Sequence, residues 1–133
     1  MSAGDDLLLL VYEGFNSGDM AAALELLDED FEFREPAAFP GALVYKGRDG
    51  FIKALRNATS VFDEVDVAVE QVLEAGNRVV VFVHISGVGK ESGAPVEMRV
   101  AHVWTMHDGK ATRMQVYLDR GEALAAAGVP ERD

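Results

Sequence analysis

The chain contains no cysteine. Disulfides, cysteine-ligated zinc and thiol nucleophiles are therefore excluded as sources of stability or chemistry. Positive charge is scarce too: 12 Lys and Arg stand against 23 Asp and Glu, a formal net charge of −11 at pH 7. No basic cluster or basic helix offsets that excess. Phosphate backbones and anionic lipid would be repelled, so neither nucleic acid nor membrane is expected as a partner. Long apolar runs are also missing. Leu7–Val11 is far shorter than the roughly 20 residues of a membrane span, and it lacks the basic flank of a signal segment. A cytoplasmic protein is the expectation.

What is present suits a folded domain. The 133 residues are 49% hydrophobic and 26% charged, enough to bury one core with little room for a second. A single domain over 1–133 is expected, without repeats, linkers or low-complexity segments.

Two periodicities divide the chain. Leu7, Leu10, Val11 and Phe15 recur at helical spacing, with Leu8 and Tyr12 on a flank, which predicts an amphipathic helix over 5–16. Asp5 and Asp6 suit its N-terminus, and Asn16-Ser17-Gly18 ends it. Asp19 is placed to cap a second helix, where Met20, Ala23, Leu24 and Leu27 follow i, i+3, i+4, i+7. A short strand, Phe31–Glu35, stops at Pro36, and a loop of small residues runs from Ala37 to Leu43. A third helix follows Gly47-Arg48-Asp49-Gly50, with Phe51, Ile52, Leu55, Ala58, Thr59 and Phe62 along one side.

From Phe62 the period changes from 3.6 to 2. Val65, Val67 and Val69 alternate with polar or small residues, and the parity shift at Val72 predicts a bulge. A turn at Gly76-Asn77 leads into Arg78–Lys90, whose run Val79–Val83 is apolar on both faces, as in a central strand covered on both sides. Gly87 and Gly89 predict a kink there; they lack the strand-turn-helix setting of a phosphate loop. Glu122–Ala127 closes the chain as a short helix.

The clearest local signal is Asp108-Gly109, a two-residue turn between the strands Val96–His107 and Lys110–Asp119. Pairing His107 with Lys110 and continuing without interruption sets Val103 opposite Met114, Ala101 opposite Val116 and Arg99 opposite Leu118 on one face. The other face then carries His102, Trp104, Gln115, Tyr117 and Asp119. If Lys90 pairs with Val96, His84 stands across from His102 and Phe82 across from Trp104. That face reads as a homodimer surface of Phe82, His84, Trp104 and Tyr117. Two histidines lack the third ligand of a catalytic zinc site, so no metal is expected. Helices followed by long antiparallel strands predict an α+β fold. Its cone-shaped, curved antiparallel sheet would wrap over three N-terminal helices and leave a hollow between the layers.

Several segments together resemble the nuclear transport factor 2-like superfamily, and within it the SnoaL-like group that includes polyketide cyclases and ketosteroid isomerases. They are Val11-Tyr12-Glu13-Gly14-Phe15-Asn16-Ser17-Gly18-Asp19, Leu27-Asp28-Glu29-Asp30-Phe31-Glu32-Phe33, Tyr45-Lys46-Gly47-Arg48-Asp49-Gly50, Asp108-Gly109-Lys110 and Val116-Tyr117-Leu118-Asp119. The resemblance implies a cystatin-like α+β barrel and a pocket for a small apolar organic ligand. It also implies cofactor-free acid–base chemistry beside a carbonyl: isomerisation, aldol cyclisation or dehydration. Glu35, just before Pro36, matches the general base of ketosteroid isomerases. Asp119 matches the cyclase Asp before the last helix and His102 loosely matches its partner, an alternative acid–base pair.

Arg99, placed by parity with Ala101 and Val103, is a candidate to fix a substrate anion. The isomerase oxyanion donors fall at Val11, beside Tyr12, and at Ala101, so steroid isomerisation is not expected. The two Asp positions of epoxide hydrolases of this fold fall at Ala101 and Val116, which disfavours that chemistry. Tyr12, Phe15, Phe33, Phe39, Phe51, Leu55, Val83, Ala101, Val103, Val116 and Leu118 are expected to line the pocket. The alternative is a non-catalytic ligand-binding or protein-interaction domain of the same fold.

Overall fold

A computed structural model describes residues 3–129, and their side chains from Leu8 onward; Asp5, Asp6 and Leu7 of the first expected helix lie outside those described side chains. The order is α1 (Ala3–Ser17), α2 (Ala21–Glu25), β1 (Leu27–Arg34), β2 (Val44–Lys46), α3 (Gly47–Thr59), β3 (Phe62–Ala75), β4 (Arg78–Gly89), β5 (Pro95–His107), β6 (Lys110–Tyr117) and α4 (Arg120–Ala127). The strands form a six-stranded sheet in the order β2-β1-β6-β5-β4-β3. Neighbours are antiparallel except β1 and β6, which run parallel. The sheet curls over α1 and α3 without closing, since β2 and β3 remain its two edges.

Leu27 belongs to β1 rather than to the second helix. Its backbone is claimed by the sheet: Leu27 pairs with Ala111, and the Arg48 guanidinium donates to the Leu27 carbonyl at 3.0 and 3.2 Å. Helical spacing therefore overran the end of α2. Val79–Val83 is covered on both faces as expected, yet β4 lies next to the edge strand, not at the centre. Val79, Val81 and Val83 face the main core with Phe31, Phe51 and Trp104, while Val80 and Phe82 lie under Ala123, Leu124 and Ala127 of α4. The helix that covers them is fixed at both ends. Asp119 accepts from the Glu122 N–H at 2.9 Å, and Arg78 Nη1 donates to the Ala126 carbonyl at 2.7 Å.

Two sheet registers differ from uninterrupted pairing. Asp108 and Gly109 both have positive φ, 50° and 78°, as a type I′ hairpin requires, and His107 does pair with Lys110. Between Met106 and Thr105, however, the partner skips from Ala111 to Arg113, so Thr112 is an extra residue in β6. The skip inverts every later pairing. Trp104 meets Met114, His102 meets Val116 and Ala101 meets Tyr117.

On the other side of β5 the loop closes where Gly89 N–H donates to the Ala94 carbonyl at 3.0 Å, and Gly87, not Lys90, faces Val96. His84 therefore pairs with Arg99, and Val81 with His102. The expected His84/His102 and Phe82/Trp104 pairs do not form. The bulge read from Val72 does occur, between Val69 and Gln71, and a second lies between Asp63 and Asp66.

The site depends on how α1 is held to the edge strand β3. The Asn16 side chain donates to the Val67 carbonyl and accepts from the Val67 N–H, both at 2.9 Å, taking the place of a neighbouring strand. Gly14 makes room for the following turn, because a Cβ there would meet the Asp19 carbonyl oxygen at 2.8 Å. Asn16→Ala should cost about 1–3 kcal/mol by leaving both Val67 backbone groups without partners. Urea unfolding measures this directly, and a loss below about 0.5 kcal/mol would show that the clamp contributes nothing.

Candidate functional site

The curl encloses a cavity of about 290 Å³. α1 supplies Val11, Tyr12 and Phe15 to its wall, α3 supplies Phe51, Ala54 and Leu55, and β1 supplies Phe33. Met98, Val100, His102 and Trp104 come from β5, with Met114 and Val116 from β6. Phe39, Val96, Met98 and Leu118 also line it but are exposed, which places them at the mouth.

His102 is the one buried polar residue among those described. Tyr12 Oη lies 2.8 Å from His102 Nδ1, and Trp104 Nε1 donates to Tyr12 Oη at 2.9 Å. The Tyr12 and His102 rings lie nearly parallel, 9° apart, whereas Trp104 meets Tyr12 edge-on at 80°. Burial pushes the imidazole down to about pKa 4, so His102 is neutral near pH 7. Burial also raises the Tyr12 phenol well above its ordinary value, with the Trp104 hydrogen bond opposing it. Glu35 is half-buried at the end of β1 and lines the same cavity. Its Oε1 accepts from the Leu43 N–H at 2.9 Å, and its carbonyl accepts from Gln115 Nε2 at 2.9 Å.

The structure thus brings together Glu35, His102, Tyr12, Phe15, Phe33, Phe39, Phe51, Leu55, Val116 and Leu118 around one space. The other expected residues lie elsewhere. Arg99 is on the outer face, its side chain 69% exposed, with Nε 3.1 Å from Glu70 Oε1. Asp119 caps α4. Ala101 and Val103 pack beneath α4, and Val83 is sealed in the core without reaching the cavity. The extra residue at Thr112 accounts for Arg99, Ala101 and Val103, since it turns the other face of β5 inward.

The surface of Phe82, His84, Trp104 and Tyr117 does not assemble, because that insertion turns Trp104 inward and the β4–β5 register sets Phe82 opposite Ala101 rather than Trp104. Trp104 is fully buried inside the cone, and Phe82 lies beneath the Arg120 guanidinium, 3.9 Å above its ring. Trp104, Met98 and Val100 are cavity residues that uninterrupted pairing turns outward, whereas Met114 shares the inward face with Val116 under either pairing. The even spacing of Met98, Val100, His102 and Trp104 was their signal. The bond from Tyr12 to His102 spans 90 positions and has no local signature.

An open, curled sheet closed by helices over an apolar cavity defines the nuclear transport factor 2-like class. Residues 10–114 match the SnoaL-like domain, and the chain belongs to that family. A nuclear transport factor 2-like protein of unknown function from Burkholderia pseudomallei K96243 superposes with a TM-score of 0.79 at 22% identity, covering 96% of this chain and 98% of that one. TerC, crystallised with polyporic acid, gives 0.77 at 28% identity over 95% and 98% of the two chains. A candidate SnoaL-like polyketide cyclase from Jannaschia sp. CCS1 gives 0.76 at 20%, over 96% and 93%. No curated protein matches the chain. Among the described residues no helix is long and apolar enough to cross a membrane.

Proposed function

We propose that this chain is a cofactor-free acid–base enzyme, an isomerase or cyclase acting beside the carbonyl of an apolar substrate. The observation that carries this reading is His102, the one buried polar residue among those described, set in a mostly apolar cavity whose lining also includes the Glu35 carboxylate. Apolar walls bind a ligand by burial, and one polar group decides which end enters.

Glu35 would take a proton from the carbon next to the carbonyl. His102, neutral at working pH, would meet the negative charge growing on the carbonyl oxygen by a hydrogen bond rather than by full protonation. Return of the proton at another carbon completes an isomerisation. Attack of the enolate carbon on a second carbonyl forms a ring, and the alkoxide left by that carbonyl takes the proton held by Glu35. The SnoaL-like family, and the polyporic acid crystallised with TerC, support a small organic ligand.

A second reading, a binding domain without chemistry, is favoured by one contact. The Glu35 carboxylate already accepts the Leu43 N–H, which gives it a role in holding the loop.

A thermal-shift and turnover screen against apolar enones, polycyclic ketones and fatty-acid derivatives separates the two. A ligand at 100 times its dissociation constant adds about 2.7 kcal/mol. Under the enzyme reading, Glu35→Gln retains that stabilisation and lowers turnover by about 10²-fold or more. Binding without turnover by the wild type would leave a carrier, and unchanged turnover in Glu35→Gln would remove Glu35 from the chemistry.

A further inference from the structure

We infer that Tyr12 and Trp104 are positioning residues that lock His102 in the tautomer carrying its proton on Nε2, so that the buried end of the cavity presents a fixed N–H donor. The inference takes from the proposed function only the reading of His102 as the group a ligand meets.

An indole N–H can only donate, so Tyr12 Oη is the acceptor of the 2.9 Å bond from Trp104 Nε1. The Tyr12 hydroxyl proton must then find an acceptor of its own. Tyr12 is buried, and the acceptor within reach among the described residues is His102 Nδ1, at 2.8 Å. The reverse assignment has Nδ1–H donating to Oη. It would strand the hydroxyl proton in a dry site, which is the costlier arrangement. With Nδ1 occupied as an acceptor, the ring proton sits on Nε2. That nitrogen has no hydrogen-bond partner among the described residues and is not among the sealed, unpartnered atoms, while its ring lines the cavity.

The elements that carry these groups are themselves tied down. Tyr12 lies one turn before the Asn16 clamp on α1, and His102 and Trp104 are two residues apart on the inward face of β5. A donor held this way suits an acceptor at the buried end of a ligand, such as a ketone or enolate oxygen, and does not suit a hydroxyl or amine proton.

Nuclear magnetic resonance on ligand-free protein labelled with ¹⁵N-histidine tests the lock, with long-range proton–nitrogen correlations read near neutral pH. The chain has 3 histidines, and the His102 signals are those lost in His102→Gln. The wild type is expected to show a protonated Nε2 and an unprotonated Nδ1. In Tyr12→Phe both nitrogens should move toward averaged positions while the backbone spectrum stays native, and Trp104→Phe should move them in the same direction. A wild type protonated on Nδ1, or a Tyr12→Phe spectrum with unmoved nitrogens, would overturn the inference. An unmoved Trp104→Phe spectrum would remove Trp104 from the lock. If Tyr12→Phe does not fold, the wild-type spectrum alone decides. Because the tautomer is read in the empty protein, failure to find turnover would sink the proposed function and leave this result standing.

Discussion

Trp104→Ala is expected to remove about 3–5 kcal/mol of stability. That is a fifth or more of the roughly 5–15 kcal/mol that holds a typical domain together. The indole is fully buried, tilted against Phe31 with ring centroids 6.0 Å apart and edge-on to Tyr12 at 6.2 Å. Truncation removes those contacts and the hydrogen bond to Tyr12 together. The void would merge with the existing cavity, whose walls are paired strands and a clamped helix, so little collapse can offset it. The same substitution reports on sheet register. On an outer face, as unbroken hairpin pairing places it, Trp104 would be replaceable for about 0.5 kcal/mol or less. A drop in the urea midpoint at constant slope is the expected result. A loss under about 1 kcal/mol would contradict the inward orientation of β5.

Most of the fold is legible because period and turn chemistry agree. Asp108-Gly109 takes positive φ at both turn residues, and the parity break at Val72 marks a bulge that sits at Glu70. What is not legible is the insertion at Thr112. Ala111 and Met114 are both buried three residues apart, the same odd step as Val69 to Val72, but with no glycine beside it and only an alanine to carry it the break is faint. Uninterrupted pairing passes over so weak a mark, and one residue suffices to exchange the faces of a strand. The register of β4 on β5 fails differently. It is set by the closure of Gly89 on Ala94, which several spacings of the same loop residues would allow.

The site follows the same division. Glu35 was matched by resemblance to the isomerase base before Pro36, and it lines the cavity because its position owes nothing to the misread hairpin. The aromatic lining from α1, β1 and α3 is legible for the same reason, since helical spacing and strand parity are local properties. Arg99 was placed through the β5–β6 pairing and inherits its error, whereas Asp119 was matched by family resemblance and lies beyond the end of β6, where it caps α4. His102 was singled out as a titratable group, but its partners, Tyr12 and Trp104, become neighbours only once α1 lies across the inner face of the sheet.

The buried imidazole also predicts how stability responds to acid. Burial holds His102 near pKa 4 in the folded chain, because protonation would put a charge in an apolar site. The unfolded chain titrates near the ordinary value of about 6.5. As pH falls below about 6.5 the unfolded state takes up a proton that the folded state refuses, and stability drops by about 1.4 kcal/mol per pH unit. The loss levels off near pH 4, where the folded imidazole titrates as well, and totals on the order of 3 kcal/mol. This is opposite in sign to a histidine that gains a carboxylate partner on folding. Carboxylates titrate in the lower part of the same window. Glu32, held below its ordinary value chiefly by its Arg34 hydrogen bond, gives up its contribution at lower pH than a free carboxylate does.

Those groups are common to the wild type and to His102→Gln, whose amide oxygen can still accept the Tyr12 proton, so they cancel in the difference. Urea unfolding of the two proteins between pH 7 and pH 4 should therefore show curves that diverge from about pH 6.5 downward, the wild type losing stability faster. Parallel curves would mean that His102 protonates freely in the folded state, and the dry, donor-bearing cavity end would have to be abandoned.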